Sequence, residues 1–364
     1  MTHHLTPLVA SLPATVPFTG PETLERRQGY AFAARLGANE SLFGPSPHAI
    51  TAMQRAASEA WMYGDPDMHD LRTAIAAHHG TTPAHVMIGE GIDGLLGTLT
   101  RLIIAPGDPV VTSLGAYPTF AFHVAACGGT LTRVPYAQNH EDPAALLADA
   151  VTTQAKLLYL ANPDNPMGSH HPGRVITDLI ARLPPQTLLV LDEAYADLAP
   201  PGTIPDISPD DPRVIRLRTF SKGYGLAGLR VGYAIAHPDL IAAFDRIRNH
   251  FGVGRVAQAG ALAALQDQDW LRGVQASVAD ARTHLAQIAR DNGLIPLPSA
   301  TNFVTMDCGQ EGSYAAGVLA RLGAQGIFAR MPGVAPLNRC IRVSVGDSTA
   351  MTAFAAALPL AMKG

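Results

Sequence analysis

Charge and sulfur are both scarce in this sequence. Only 15% of its 364 residues are charged, and the formal net charge is −4. There is no excess of lysine and arginine to hold a nucleic acid or an anionic membrane by its field. Cysteine occurs three times, at Cys127, Cys308 and Cys340, an odd number at wide spacing. That excludes a disulfide framework and fits a reducing compartment, so a cytoplasmic location is expected. No apolar run reaches the length of a bilayer span. The opening MTHHLTPLVASLPATVPF has no lysine or arginine before its weak apolar stretch, and prolines break it. It reads as a surface arm, not a signal peptide. Internal repeats and low-complexity blocks are absent too.

Apolar residues, by contrast, make up 47% of the chain, enough for a large core and, at this length, about two domains. From residue 85 onward, short apolar runs alternate with helical patterns. The strand candidates are HVMIG (85–89), PVVTS (109–113), LLYLAN (157–162), LLVLDEA (188–194), VIRLRTF (214–220) and VGYAIA (231–236). Helical spacing covers 91–104, 117–127, 142–152 and 172–183. Such alternation predicts an α/β fold, a mostly parallel sheet with helices on both faces. After residue 237 come helical patterns at 238–249 and 256–292, the second broken near Asp267–Asp269. Strands at 303–307 and 340–345, a helix near 313–325 and a last helix complete a smaller α+β unit.

In sheets of this kind a ligand sits beyond the carboxyl ends of the strands, so the residues just past each strand are informative. LLYLAN runs into Asn162-Pro-Asp-Asn165-Pro-Met-Gly168. LLVL ends at Asp192-Glu-Ala-Tyr195. VIRLRTF ends at Ser221-Lys222 and continues through GYGLAGLR to Arg230. Tyr117 comes soon after PVVTS, and HVMIG leads into Glu90-Gly91-Ile92-Asp93 at a helix start. Charged groups at the ends of apolar strands are costly unless paired or functional. A single ligand accounts for the set. A lysine amine forms a Schiff base with an aldehyde, a carboxylate pairs with a protonated pyridine nitrogen, and hydroxyls, an arginine and a helix start hold a phosphate.

The ordered segments LGANESLFGPSP (36–47), YGDPDMHDLR (63–72), GEGIDG (89–94), NPDNPMG (162–168), DEAY (192–195), TFSKGYGLAGLRVGY (219–233) and RCIRVSVG (339–346) span nearly the whole chain. In them the sequence resembles the fold-type I aminotransferases, nearest to the histidinol-phosphate aminotransferase group. The resemblance implies a three-layer αβα large domain at 40–255 that binds pyridoxal 5'-phosphate (PLP). It also implies a small α+β domain at 256–364 and an arm, 1–39, packed with the small domain. By the same resemblance Lys222 carries PLP as a Schiff base and later moves a proton. Asp192 holds the pyridine nitrogen, Asn165 and Tyr195 contact the ring hydroxyl, and Tyr117 stacks on the ring. Gly91, Ile92, Thr219, Ser221 and Arg230 hold the phosphate. Tyr63 reaches the cofactor of a partner subunit, which implies a homodimer. Arg342 clamps a substrate carboxylate, Arg330 meets the substrate, and Asn39 lies in the segment lining the entrance. The substrates implied are an amino donor, an amino acid or amino alcohol phosphate that is histidinol-phosphate-like or aromatic, and a 2-oxo acid. A lowered Lys222 pKa is expected from burial and from Arg230.

Three departures stand out. GEGIDG replaces the more usual GNGSDE, NPMG lacks the usual threonine, and Phe18 in VPFTGPE stands near a place the family gives to tyrosine. Two alternatives have their own chemistry. The same cofactor site serves decarboxylases and lyases. Gly89-Gly91-Gly94 and Gly223-Gly225-Gly228 both fit a dinucleotide fingerprint. However, the strand after the first lacks the ribose-binding acid, and the second leaves no room for a helix. The 14 histidines include the pairs His3-His4, His78-His79 and His170-His171, none with metal-ligand spacing. They are read as surface residues whose helical neighbours face apart, and no metal is expected.

Overall fold

The computed structural model describes residues 4–14 and 18–363. Its strands in chain order are β1 (Ala34–Arg35), β2 (Val86–Gly89), β3 (Pro109–Ser113), β4 (Thr130–Val134), β5 (Leu157–Ala161), β6 (Leu188–Asp192), β7 (Val214–Thr219), β8 (Gly232–Ala236), β9 (Ile295–Pro296), β10 (Phe303–Asp307), β11 (Ile327–Phe328) and β12 (Cys340–Ser344). Seven of them form one sheet in the order β2-β8-β7-β6-β5-β3-β4. Every pair is parallel except those made by β8, which runs against both neighbours. The reversal has a simple cause. A parallel return needs a crossover of a dozen or more residues, usually a helix. The link from β7 to β8 holds only the short turn Ala227–Leu229.

The central strands are apolar at every position because both faces are covered. Leu158, Leu160, Leu189 and Leu191 face a core shared with the helices Pro143–Thr153 and Gly173–Ala181. Their neighbours Tyr159, Val190 and Leu217 face the opposite core, shared with Gly91–Ile103 and Pro118–Ala126. The two-residue period survives inside runs that look uniformly hydrophobic. Strand β4 is not evident from the sequence because it is an edge strand, only Val134 of which is buried, and it is interrupted by Thr132 and Arg133. The helix expected over 238–249 stops at Phe244. The long pattern over 256–292 divides at Asp267, whose carboxylate caps the second helix through the Trp270 N–H at 3.2 Å.

A second core lies among the three-stranded antiparallel sheet β12-β10-β9 and the helices Gln268–Asp291, Gly312–Ala324 and Ser348–Ala361. The β1–β11 pair and Leu36 join it; the Leu36 N–H donates to Phe328 O at 2.7 Å. Earlier in the arm, Leu8 lies beside Gly128, next to the large sheet. The arm therefore touches both cores.

The histidine pairs differ in part from expectation. The rings of His78 and His79 meet edge-on at 4.9 Å. His79 is largely buried against the Tyr233 hydroxyl at 2.9 Å, and burial lowers its pKa to about 3. His171 is half-buried, its Nε2 donating to Glu141 O at 2.8 Å. His79 and His171 are thus packed rings, whereas His4 and His78 are exposed. His3 lies outside the described residues. Among the described residues no group of side chains has metal-site geometry, and no helix is long and apolar enough to cross a membrane.

Candidate active site

The carboxyl ends of β5, β6 and β7, the start of helix Gly91–Ile103 and the segments 37–40 and 330–333 enclose a cavity of about 580 Å³. Lys222, Asp192, Asn165, Tyr117, Arg230 and Arg342 all line it.

The Lys222 amine donates to the carbonyl oxygen of Asn39 at 2.9 Å and lies 5.7 Å from the centre of the Tyr195 ring. It lines the cavity. Burial lowers its pKa to about 8, helped by Arg342 and then Arg230, and opposed by Glu40 and Asp192. The stronger cationic influence is thus Arg342, where the sequence alone points to Arg230. An amine in this range is partly neutral at physiological pH, as a nucleophile or base must be.

Asp192 ends β6 and is buried. Its Oδ2 accepts from the Tyr159 hydroxyl at 2.7 Å and its Oδ1 from the Ala194 N–H at 2.9 Å. Burial pushes its pKa up, and these two donors restrain the rise. Strand alternation points the next residue, Glu193, to the other side, where Arg216 and Arg218 pair with it at 3.0 and 2.9 Å. Tyr159 lines the cavity and is a residue that the sequence analysis does not single out. A lone tyrosine within LLYLA is the available signal, because a buried tyrosine hydroxyl needs a polar partner.

Asn39 does more than line an entrance. It is buried, its side-chain amide donates to the Tyr195 hydroxyl at 2.9 Å, and its backbone N–H reaches Ser344 Oγ at 3.0 Å. Arg342, on β12, donates to Asn165 Oδ1 and, at 3.1 Å, to Gly37 O. Its Nε is buried and has no partner. Desolvation lowers its pKa from the ordinary arginine value. A buried guanidinium with an unused donor beside the cavity is a seat for an anion.

Gly91, Ile92, Thr219, Ser221 and Arg230 converge on a second corner. The Thr219 hydroxyl donates to Ser221 Oγ at 2.9 Å, and Arg230 reaches the same oxygen at 3.3 Å. Gly91 opens a 13-residue helix at φ 75°. A Cβ there would lie 2.5 Å from Arg230 Nη2, so only glycine lets the guanidinium approach the helix start. Free N–H groups, hydroxyls and a cation in one place make an anion cradle.

At the mouth, Phe18 stacks on Tyr117 with ring centres 6.1 Å apart. Arg330 lies against both Phe18 and Phe328, at 5.5 and 5.3 Å, and donates to Thr19 O at 2.8 Å. No carboxylate of the described residues is within ion-pairing distance of Arg330. Of the residues singled out from sequence, Tyr63 alone stands apart. It is 78% exposed and packs on Phe251 at 4.8 Å.

Residues 34–358 match the family model described as aminotransferase class I and II. Histidinol-phosphate aminotransferase 1 of Mesorhizobium japonicum is 36% identical, over 93% of this chain and 94% of its own. The corresponding enzyme of Moorella thermoacetica is 32% identical over 96% and 91%. Among solved structures, histidinol-phosphate aminotransferase from Sinorhizobium meliloti, in complex with pyridoxal-5'-phosphate, superposes with a TM-score of 0.97. It is 54% identical and covers 99% of this chain and 98% of its own. Neither the decarboxylase nor the dehydrogenase alternative is favoured by these likenesses.

Proposed function

Since this chain belongs to the class I and II aminotransferases, PLP-dependent enzymes of fold type I, we propose that it exchanges an amino group between histidinol phosphate and a 2-oxo acid. The residues present fit the cofactor. The glycine-gated cradle suits a phosphate, the Lys222 amine suits an aldehyde, and buried Asp192 suits a ring nitrogen that carries a proton.

When bound, PLP supplies an aldehyde for amine exchange and a cationic ring that draws electrons from the bonds beside the substrate nitrogen. The chain supplies the rest. Lys222 Nζ is the attachment point and, once displaced by the donor amine, would take the proton from the donor's α-carbon and deliver it to the cofactor's former aldehyde carbon. Asp192, restrained by Tyr159, keeps the ring nitrogen protonated. Asn165 and Tyr195 hold the ring hydroxyl, and Tyr117 packs on the ring. Gly91, Ile92, Thr219, Ser221 and Arg230 hold the cofactor phosphate. Arg342 takes the carboxylate of the 2-oxo acid.

The observation that supports this substrate class best is the pair of guanidiniums that line the cavity with Lys222. Arg342 keeps a donor, Nε, without a partner, and Arg330 has no carboxylate partner among the described residues. They suit substrates that bring an anionic group into the cavity. With 2-oxoglutarate as acceptor, histidinol phosphate is expected to give a kcat/KM at least about tenfold above that of histidinol, since a charge-assisted contact is lost. A kcat/KM for phenylalanine or leucine exceeding that for histidinol phosphate would overturn the assignment.

The working form we propose is a homodimer. Exposed Tyr63, Trp61 and Phe251 support it, because large exposed aromatics mark association surfaces. Sedimentation is expected to give twice the chain mass, with Tyr63→Ala weakening PLP retention several-fold. An active monomer with unaltered retention in Tyr63→Ala would contradict it.

A further inference from the structure

Directly behind the proposed site, two carboxyl groups are buried without a counter-ion. Glu141 and Asp164 are 1% and 2% exposed and lie within hydrogen-bonding reach of each other. Among the described residues no lysine, arginine or histidine forms an ion pair with either. Each of their four oxygens has one neutral donor. Glu141 receives the Ser113 hydroxyl at 2.6 Å and the Ala161 N–H at 3.1 Å. Asp164 receives the Tyr136 hydroxyl at 2.8 Å and the Met167 N–H at 3.1 Å.

Asp164 organises the turn after β5. Its N–H donates to Ser169 O at 2.8 Å and its carbonyl receives the Gly168 N–H at 3.2 Å. The next residue, Asn165, lines the cavity and receives Arg342. Neither acid touches the cavity itself.

We infer that Glu141 is a positioning residue that acts as a neutral acid, donating its proton to Asp164 and so fixing the turn that presents Asn165 to the cofactor and to Arg342. The inference rests on the aminotransferase reading only for what Asn165 does. Two adjacent carboxylates in a dry, unpaired setting cannot both ionise, so one proton is retained between them. The surroundings decide where it sits. Asp164 faces the field of Arg342, which favours its anion, and Glu141 has no comparable cation. From β5, the Tyr159 hydroxyl is committed to Asp192. From the 169–172 segment, the His171 ring donates to the Glu141 carbonyl and lies 5.8 Å from the His140 ring, and burial lowers its pKa. Tyr136 is partly buried, and burial raises its pKa. Burial likewise pushes Glu141 well above the ordinary carboxylate range.

Glutamine in place of Glu141 preserves the shape and supplies an N–H toward Asp164, whereas alanine removes the donor. In the holoenzyme, Glu141→Gln is expected to retain kcat/KM within about 3-fold, and Glu141→Ala to lose about 100-fold, with most of the loss in kcat. Infrared spectra at pH 8 are expected to contain a protonated-carboxyl band that is absent from Glu141→Gln. That band needs neither turnover nor cofactor, so it tests the retained proton even if the aminotransferase reading fails. Identical carboxyl regions in the wild type and Glu141→Gln, or equal impairment by Gln and Ala, would overturn the inference. If Glu141→Ala does not fold, the infrared comparison with Glu141→Gln decides alone.

Discussion

Replacing Lys222 with alanine is expected to reduce turnover by at least about 10⁴-fold, because attachment point and proton carrier disappear together. The expected physical signs are loss of the visible absorbance of the PLP-loaded protein and no mass gain on borohydride treatment. The cradle at Gly91, Ser221 and Arg230 is untouched, so PLP still binds, non-covalently. The pH dependence carries its own check. The Lys222 pKa lies near 8, below its ordinary 10.5. In cofactor-free protein, amine-directed labelling of Lys222 is therefore expected to rise through pH 8. Because the unfolded chain holds this proton up to about pH 10.5, stability gains from Lys222 as pH rises between the two values. Arg342→Met is expected to move the labelling midpoint upward, by removing the larger of the two cationic influences. Wild-type turnover in Lys222→Ala, or a labelling midpoint near 10.5, would remove the basis for the proposed chemistry.

The legible parts of the site are those whose information is local. Lys222 and Asp192 each end an apolar strand, and the cost of leaving a charge there is visible without coordinates. The antiparallel course of β8 is implied by the lack of room for a crossover after Lys222. The contacts that tune these residues are not legible, because they join distant parts of the chain. The Asn39 side chain meets Tyr195 across 156 positions, and its carbonyl meets Lys222 across 183. Glu141 sits just before a helix cap in a segment with no apolar period, so nothing local marks it as buried. His79 reads as polar and packs as a core ring, because its one hydroxyl partner, Tyr233, lies 154 positions away. Edge strand β4 is hidden for the opposite reason, since a half-exposed strand carries little hydrophobic signal.

Asp192 sets function against stability, and that gives the second large expectation. Its carboxylate is buried, with Tyr159 and the Ala194 N–H as its donors. Asparagine keeps the shape and an acceptor for Tyr159, but cannot hold a proton on a ring nitrogen. Asp192→Asn is expected to lower kcat/KM by about 10³-fold while the protein still takes up PLP on Lys222, seen as retained visible absorbance. The cofactor-free protein is expected to respond in the other direction. Burial raises the Asp192 pKa above its unfolded value, so its ionisation opposes folding once pH exceeds the ordinary carboxylate range. Near neutral pH, cofactor-free Asp192→Asn is therefore expected to melt about 2–4 °C higher than the wild type, and the gap is expected to close as pH falls below the ordinary carboxylate pKa. Loss of activity with a lower melting temperature at neutral pH would mean that the carboxylate holds the fold together, and the electrostatic account of Asp192 would be wrong.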